Sequence, residues 1–294
     1  MRSLWSAITW VLAGLAAVLA LVLPFVTTGR AAILPVLLLA APVALIDGVR
    51  RYGWVAMLFF LVETLVISNF FENLSVQTGF PFGHYHYTAG PQLVHVPVYI
   101  GPVYVGLGYL CWRLAGLILT GGRRRTGDVV AVPALAAVLM TAFDLGSDST
   151  ASTVNHVWEW ENGGGVFGVP FTNYLGWWFV TWLFFQVFAI YQVRRRPKPR
   201  AATPAAAPIV YLALALNAVA LFLVADGGAV TDPSGVVWSN RALAETMMVI
   251  NLFAVLPFGL LGLRAAVAER TARPGRDDGA TVRAPAGAER PVTG

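Results

Sequence analysis

The chain has 294 residues, of which 57% are hydrophobic and only 12% are charged. Its mean hydropathy of +0.67 excludes an ordinary soluble domain, because apolar segments of about 20 residues recur and each can cross a bilayer core of roughly 30 Å. The net charge of +5 does not indicate nucleic-acid binding, since the basic residues stand in short clusters beside apolar runs.

Eight apolar runs divide the chain into candidate transmembrane helices. They predict an all-α transmembrane bundle of seven to eight spans, with residues 1–272 as one membrane domain. The first run is interpreted as a retained helix and not a signal peptide, because it is long and has no evident small-residue cleavage site. The predicted spans are 5–27, 32–49, 53–71, 98–119, 129–146, 173–193, 208–225 and 245–264.

Lysine and arginine predict the orientation of these spans. All but three of the 20 basic residues fall at the termini or in alternate loops, the exceptions being Arg30, Arg113 and Arg241. This distribution predicts an integral membrane protein with both termini in the cytoplasm. Residues 273–294 are rich in Ala, Gly, Pro and Arg, a composition that predicts a disordered basic tail.

Two long polar segments interrupt the apolar pattern, at residues 72–97 and 147–172. By the predicted topology both lie on the non-cytoplasmic side, where they can meet. Irregular backbone is tolerated at membrane depth where protein shields it or where it lines a cavity. We therefore expect both segments to fold toward the bundle interior.

Acidic residues within or beside the spans are candidates for catalysis, because ionisable groups at membrane depth are costly. Asp144 and Asp148 are four residues apart and share one face if the helix persists that far. Two close carboxylates repel, so one is expected to keep its proton and serve as a general acid. Alternatively, Asp148 caps a helix or faces solvent. Glu63 is either catalytic or paired with Arg113.

The segment from Trp158 to Glu161 alternates tryptophan with glutamate. On an extended stretch the indoles of Trp158 and Trp160 would line one face and the acids the other. Aromatic faces stabilise cations, so these rings could surround a positive charge. The alternative is an aromatic belt at the lipid headgroups, which we favour for Trp177 and Trp178.

The first polar segment contains the run GFPFGHYHY from Gly79. Its glycines and proline predict a turn, followed by an extended piece from which Tyr85 and Tyr87 project to one side. Directly after the second segment, Asn173 either caps the sixth helix or contacts a substrate.

Metal and phosphate chemistry are disfavoured. Four histidines, at positions 84, 86, 95 and 156, stand without a recognisable metal-binding spacing, so we predict no metal. The single Cys111 lies in an apolar run and is interpreted as a buried hydrophobic residue. The Asp-x-x-x-Asp spacing resembles magnesium–diphosphate sites, but the polar segments lack the lysine and arginine that such sites recruit.

Several motifs resemble a known family. From Glu72 the chain reads ENLSVQTGFPFGHYHY, then VPVYIGP from Val96, a DLGSD run from Asp144, WEW, and FGVPFTNYLGWW from Phe167. This pattern, over about residues 55–190, resembles the membrane carotenoid-biosynthesis family that includes the carotenoid 1,2-hydratases.

The resemblance implies an enzyme that adds water to the terminal isopropylidene double bond of a long polyene, without a cofactor. It implies a hydrophobic carotenoid substrate, the lipid bilayer and other carotenoid enzymes as partners, and no nucleic acid. Such a reaction needs a proton donor, shelter for a tertiary carbocation and a positioned water. The candidate catalytic residues are Asp148, Asp144, Glu72, His84 and His156. The candidate substrate-binding residues are Tyr85, Tyr87, Trp158, Trp160 and Asn173.

Two alternatives to a hydratase stay open at this point. One is a UbiA-like membrane prenyltransferase or carotenoid elongase, against which the shortage of basic residues argues. The other is a non-catalytic carotenoid-binding assembly partner, in which the aromatic segments only clamp a pigment.

Overall fold

A computed structural model describes residues 2–27, 33–120, 128–195 and 203–271. The described residues form a helical bundle with three short two-stranded sheets. The predicted disordered tail, 273–294, lies outside the described residues. The helices are α1 (Arg2–Val26), α2 (Leu34–Tyr52), α3 (Trp54–Thr78), α4 (Ile100–Thr120), α5 (Asp128–Leu145), α6 (Phe171–Arg195), α7 (Ala206–Val224), α8 (Asn240–Ile250) and α9 (Leu256–Thr271).

Each of the eight predicted spans is a helix, which confirms the predicted all-α membrane bundle. The last span is one continuous stretch, Asn240–Thr271, in which a π-helical segment, Asn251–Val255, joins α8 to α9. Among the described residues, seven helices are long and apolar enough to cross a membrane. Helix α2 is not one of the seven, and its C-terminal part carries Asp47, Arg50 and Arg51.

The third helix is longer than its apolar run predicts. Helix α3 continues to Thr78 and ends where Gly79 adopts a left-handed backbone conformation (φ 78°) and donates its N–H to the Ser75 carbonyl, 2.8 Å away. Glycine tolerates this conformation because it has no Cβ. As a result Glu72 is a buried residue of α3 and not its last residue.

Helix α4 lies at the centre of the bundle and contacts α2, α3, α5, α7 and α9. Small residues allow its closest approach: a Cβ on Gly106 would lie within 3 Å of the Ala40 and Ala41 backbone of α2. Close backbone approach at small residues is the usual way in which membrane helices pack. Helix α4 is therefore the central element against which five other helices pack.

The two polar segments meet, as predicted. Strand β1 (Tyr85–Tyr87) pairs antiparallel with β4 (Trp158–Trp160), with Tyr85 opposite Trp160 and Tyr87 opposite Trp158. Strands β2 (Gln92–Leu93) and β3 (Val96–Pro97) pair within the first segment, and β5 (Ala229–Thr231) pairs with β6 (Val237–Ser239) before α8. The β5–β6 hairpin packs Trp238 against Phe167 of the second segment, with ring centroids 5.1 Å apart.

A buried polar cluster lies in another part of the bundle, around Asp47 of α2. Its carboxylate accepts hydrogen bonds from the Tyr109 hydroxyl (2.7 Å) and the Thr203 backbone N–H (2.8 Å), and Arg113 Nε lies 3.9 Å away. The interpretation of Glu63 as the partner of Arg113 is therefore wrong. Both carboxyl oxygens of Glu63 are buried without a hydrogen-bond partner among the described residues. The packing of α2 against α4 brings Asp47, and not Glu63 of α3, to the Arg113 guanidinium.

Replacing Asp47 should destabilise the bundle. The Asp47→Asn variant removes the carboxylate that lies 3.9 Å from the buried Arg113 guanidinium, and breaking a buried ion pair on one side costs about 3–5 kcal/mol. We expect a clearly lower Tm in detergent, measured by intrinsic fluorescence during heating. The control Glu245→Gln, which makes the same kind of change on an exposed part of α8, should leave Tm unchanged. An equal Tm for both variants would show that the Asp47–Arg113 contact contributes nothing.

Candidate functional site

Glu72 is held by three tyrosine hydroxyls from two separate parts of the chain. Tyr85 and Tyr87 of β1 donate to Oε2, the second over 3.0 Å, and Tyr104 of α4 donates to Oε1 over 2.7 Å. The strand pleat projects Tyr85 and Tyr87 to the same side because they are two residues apart, as the sequence predicts. Glu72 is thus buried, 4% exposed, with a donor on each oxygen.

A second acidic group forms where α5 is interrupted. Asp144 lies in the last turn of α5, the chain turns at Gly146 and Ser147, and Asp148 follows before a π-helical turn, Thr150–Val154. The Asn173 side-chain amide Nδ2 bridges the two acids, donating to Asp144 Oδ2 over 2.8 Å and to Asp148 Oδ2 over 2.6 Å. The two carboxyls therefore lie together, although the helix does not continue unbroken between them.

Asn173 does not use its side chain to cap the sixth helix. It is the third residue of α6, and its amide points to the acid pair. Because one amide donor contacts both carboxyls, Asn173 fixes how the end of α5 lies against the start of α6. The capping interpretation is replaced by this bridging role.

The tryptophans of β4 complete the surroundings of Asp148. The indole Nε1 atoms of Trp158 and Trp160 both donate to Asp148 Oδ1, over 3.1 and 3.4 Å. The tilted rings of Tyr85 and Trp160 are 4.9 Å apart, and those of Tyr87 and Trp158 are 6.0 Å apart. One face of the β1–β4 ladder is therefore aromatic and bears the polar atoms that contact Glu72 and Asp148.

The other face of this ladder carries ionisable side chains. His86 lies 3.8 Å from Glu159 and 3.7 Å from Glu161, and His156 lies 3.1 Å from Glu159. This separation confirms the prediction that the glutamates and tryptophans of the WEWE run face opposite sides of an extended stretch. It also places the histidine–glutamate contacts away from the acid pair.

The acids and the aromatic face enclose one cavity of about 330 Å³. At one end lie the polar groups already described, together with Trp177. The rest of the wall is mainly apolar and comes from α2, α4, α5, α7 and α8. No lysine or arginine lines this cavity among the described residues. The apolar wall includes Leu37, Val103, Leu107, Phe143, Leu214, Ala218, Leu221 and Met247.

Most of the predicted site residues line this cavity. The structure brings together three acids, Asn173 and four rings, namely Glu72, Asp144, Asp148, Asn173, Tyr85, Tyr87, Trp158 and Trp160. It does not bring His84 or His156 to the same wall. His84 is exposed and lines a separate surface depression beside Gly79, and His156 is half-buried on the outer face. The catalytic roles given to these two histidines have no geometric support.

Two residues of the site were missed from the sequence. Tyr104 is buried, donates to Glu72 and stacks on Trp177 with a centroid distance of 4.9 Å and an interplanar angle of 8°. Trp177 was interpreted as part of an aromatic belt, and this interpretation is wrong because the ring lines the cavity. Trp178, which is exposed and stacks on Trp182, fits the belt interpretation.

Asn251 was also missed, and it positions the break in α5. Its Nδ2 donates to the Gly146 carbonyl over 2.7 Å and to the Met247 carbonyl over 2.9 Å. A Cβ on Gly146 would lie 2.4 Å from the Asn251 amide nitrogen, so glycine is required there. This contact links the π-helical segment after α8 to the turn between Asp144 and Asp148.

Among the described residues, no group of three or more His, Cys, Asp or Glu side chains is placed to bind a metal ion. Cys111 is buried and unpaired by disulfide. What the cavity does offer is acidic oxygens, hydroxyl and N–H donors, and ring faces. These groups can transfer a proton, orient a small polar molecule and stabilise a cation.

Comparison with known proteins identifies the family. The family model described as "Carotenoid biosynthesis protein" matches residues 31–233. The chain belongs to the carotenoid biosynthesis protein family. The match covers both polar segments, so every residue of the acid pair and of the β1–β4 ladder lies within the part shared with this family. Searches of the curated proteins and of the solved structures gave no match.

In this member of the carotenoid biosynthesis family, the phenols of β1 should make stability sensitive to alkaline pH. Burial, with the nearby Glu72 charge, raises the pKa of Tyr85 and Tyr87 well above the ordinary value. The unfolded chain then loses protons above about pH 10 that the folded chain keeps, so stability is complete below that pH and falls as pH rises. We expect the Tm of the double variant Tyr85→Phe/Tyr87→Phe to fall less steeply above this pH than the wild-type Tm. Parallel curves would contradict buried, neutral phenols.

Proposed function

We propose that this protein hydrates the terminal isopropylidene double bond of an acyclic carotenoid. The observation that carries the proposal is the shared cavity, in which a bridged pair of aspartates and a glutamate held by three tyrosines face an aromatic wall. Membership of a carotenoid biosynthesis family supplies the substrate class. The reaction type is inferred from the chemistry of these groups.

The first requirement is a proton for the less substituted alkene carbon. Asp144 and Asp148 share one amide donor, and among the residues that the structure describes no basic side chain lines the cavity to offset two negative charges. Like charges held close together in a poorly hydrated place favour a pair that retains one proton. A neutral carboxylic acid in this position is a suitable general acid.

The second requirement is shelter for the tertiary carbocation that protonation creates. Trp158, Trp160 and Tyr85 present rings along the cavity, and the Asp148 carboxyl accepts hydrogen bonds from the two indole N–H groups. A cation within about 6 Å of such rings is stabilised by roughly 2 kcal/mol or more when water is excluded. The aromatic face of the ladder would thus lower the energy of the cationic intermediate.

The third requirement is a water molecule and a base. Glu72 lines the cavity and its carboxylate is oriented by Tyr85, Tyr87 and Tyr104. This geometry favours Glu72 and its tyrosines for the role, and the two histidines outside the cavity are left out of it. Water attacks the tertiary carbon, and its proton goes to Glu72.

The complete step balances without a redox partner. The alkene π bond breaks, its electron pair forms a C–H bond with the proton of the aspartate pair, and a water oxygen forms the C–O bond. The proton released by water returns to the aspartate pair through the cavity. The net change is addition of one water to give a tertiary alcohol.

The size of the cavity suggests that only one end of the substrate enters it. A volume of about 330 Å³ is at the small end of the range for pockets that hold drug-sized ligands, so a long polyene exceeds it. The partly exposed lining residues Leu34, Ile100 and Leu221 lie near helix ends of α2, α4 and α7. We propose that the remainder of the polyene leaves the bundle beside these residues and lies in the lipid.

A prenyltransferase or elongase would handle a diphosphate. Sites of this kind recruit lysine or arginine to offset phosphate charge, and the cavity lining contains neither among the described residues. A carotenoid-binding assembly partner would keep the pigment unchanged. Both alternatives are outcomes of the experiments below.

Removing the base Glu72 should slow the proposed reaction. In a host that produces an acyclic carotenoid, the wild-type gene should convert the pigment to a product heavier by one water per modified end. Glu72→Gln should lower the rate by about 100-fold or more, within the range for loss of a general base. Glu245→Gln, on the exposed side of α8, is the control and should behave as wild type. Unmodified pigment with the wild-type gene, or an elongated product, would refute hydration.

The apolar wall should control entry of the polyene end. Ala218 of α7 lines the cavity and is buried, so Ala218→Phe fills the space next to Leu214 and Leu221. We expect at least a tenfold loss of conversion, measured from pigment extracts at equal protein level. The matched control is Leu216→Phe, which is on the same helix but exposed. Equal activity of both variants would show that the substrate lies elsewhere.

A further inference from the structure

The two aspartates of the pair have different hydrogen-bond surroundings. Asp148 accepts three bonds, from Trp158 and Trp160 at Oδ1 and from Asn173 at Oδ2. The Asp144 carboxyl accepts one, from Asn173 at Oδ2, and no other described residue donates a hydrogen bond to that carboxyl. This difference in hydrogen bonding distinguishes two acids that the Asp-x-x-x-Asp pattern alone leaves equivalent.

An indole N–H and an amide NH₂ can donate a hydrogen bond but cannot accept one. Trp158, Trp160 and Asn173, which contact the Asp148 carboxyl, are all of this kind and occupy both of its oxygens, and the Ser152 hydroxyl is a further neighbour that can donate to it. An ionised carboxylate, which only accepts hydrogen bonds, fits this arrangement. A proton on Asp148 would have no acceptor among these three partners.

Asp144 has the complementary arrangement. Its Oδ1 receives no hydrogen bond from the described residues, and Asp144 lines the cavity. A proton on this oxygen can point to a substrate or a water molecule without displacing a donor. Asn173 still contacts Oδ2 when the proton is present, because the neutral carboxyl keeps an acceptor oxygen.

We propose that Asp144 carries and donates the proton, while Asp148 stays ionised and acts as the fixed negative charge that stabilises the carbocation. The assignment deepens the proposed function and rests on it for the substrate. In the forward step the Asp144 O–H bond breaks as the substrate C–H bond forms. Asp148 remains bound to its indole and amide donors throughout.

Infrared spectroscopy of the purified, full-length protein at neutral pH tests the protonation states without substrate. The difference spectrum of wild type minus Asp144→Asn should contain the carbonyl band of a protonated carboxyl group. The difference spectrum of wild type minus Asp148→Asn should lack that band and show loss of carboxylate absorption, because burial in a cavity lined by no basic side chain among the described residues keeps Asp144 neutral in the variant as well. Taking differences removes any contribution from other buried acids such as Glu63.

A carbonyl band that disappears in Asp148→Asn, or in neither variant, would overturn the assignment. If Asp144→Asn does not fold, loss of the carbonyl band in Asp148→Asn still overturns the assignment. This readout is independent of turnover. A protein that passes the infrared test and hydrates no carotenoid would refute the proposed function and leave the protonation states standing.

The hydration rates of the variants provide a second test. Asp144→Asn should lose at least about 100-fold in the rate of hydration, as expected when a general acid is removed, whereas Asp144→Glu should recover part of it with a changed pH profile. Asp148→Asn should keep measurable activity, since the proton donor is still present. Full activity of Asp144→Asn together with an inactive Asp148→Asn would exchange the two roles and refute the assignment.

Discussion

Three carboxyl groups that line one cavity, with no basic side chain among the described residues of its wall, are the constraint on which the rest of the structure depends. An acid that keeps its charge there needs hydrogen-bond donors, because an unpaired buried charge is costly. The donors to Glu72 come from β1 and α4, and those to Asp148 come from β4 and α6. The two polar segments therefore have to fold against each other at the ends of the helices that carry the acids.

The strand pairing of β1 with β4 makes this possible at little structural cost. A pleated strand places alternate residues on opposite faces, so one short ladder presents tyrosine and tryptophan to the cavity and histidine and glutamate to the outside. The inner face supplies donors to two acids and ring faces to the space between them. The same few residues thus explain both how the acids are tolerated and why the cavity is suited to a carbocation.

Much of this arrangement could be predicted from particular residues. The apolar runs locate all eight spans, the alternation in WEWE predicts its two faces, and the spacing of Asp144 and Asp148 predicts their proximity. The alternation around Tyr85 and Tyr87 also predicts where His84 lies. His84 is adjacent to Tyr85, so on an extended strand its side chain faces away from the two tyrosines. The chemistry of histidine favours a catalytic role, but the alternation of side chains places His84 on the other face of the strand.

Other features depend on contacts that no local pattern encodes. Tyr104 is one of two tyrosines in an apolar helix, and its contact with Glu72 follows from the packing of α4 against α3. The partner of Arg113 depends on how α2 is rotated, and the role of Asn251 depends on a π-helical segment meeting Gly146 more than 100 residues away in the chain. Long-range packing of this kind decides which polar groups meet, and a single sequence does not contain it in readable form.

The most direct test of the account is incubation of the purified protein with an acyclic carotenoid in water labelled with heavy oxygen, without added cofactor. Mass spectrometry of the product then reports where its oxygen originates. The account predicts a tertiary alcohol that contains one heavy oxygen atom from the labelled water. An unlabelled product, or unchanged carotenoid under conditions in which the protein is folded and binds pigment, would contradict it.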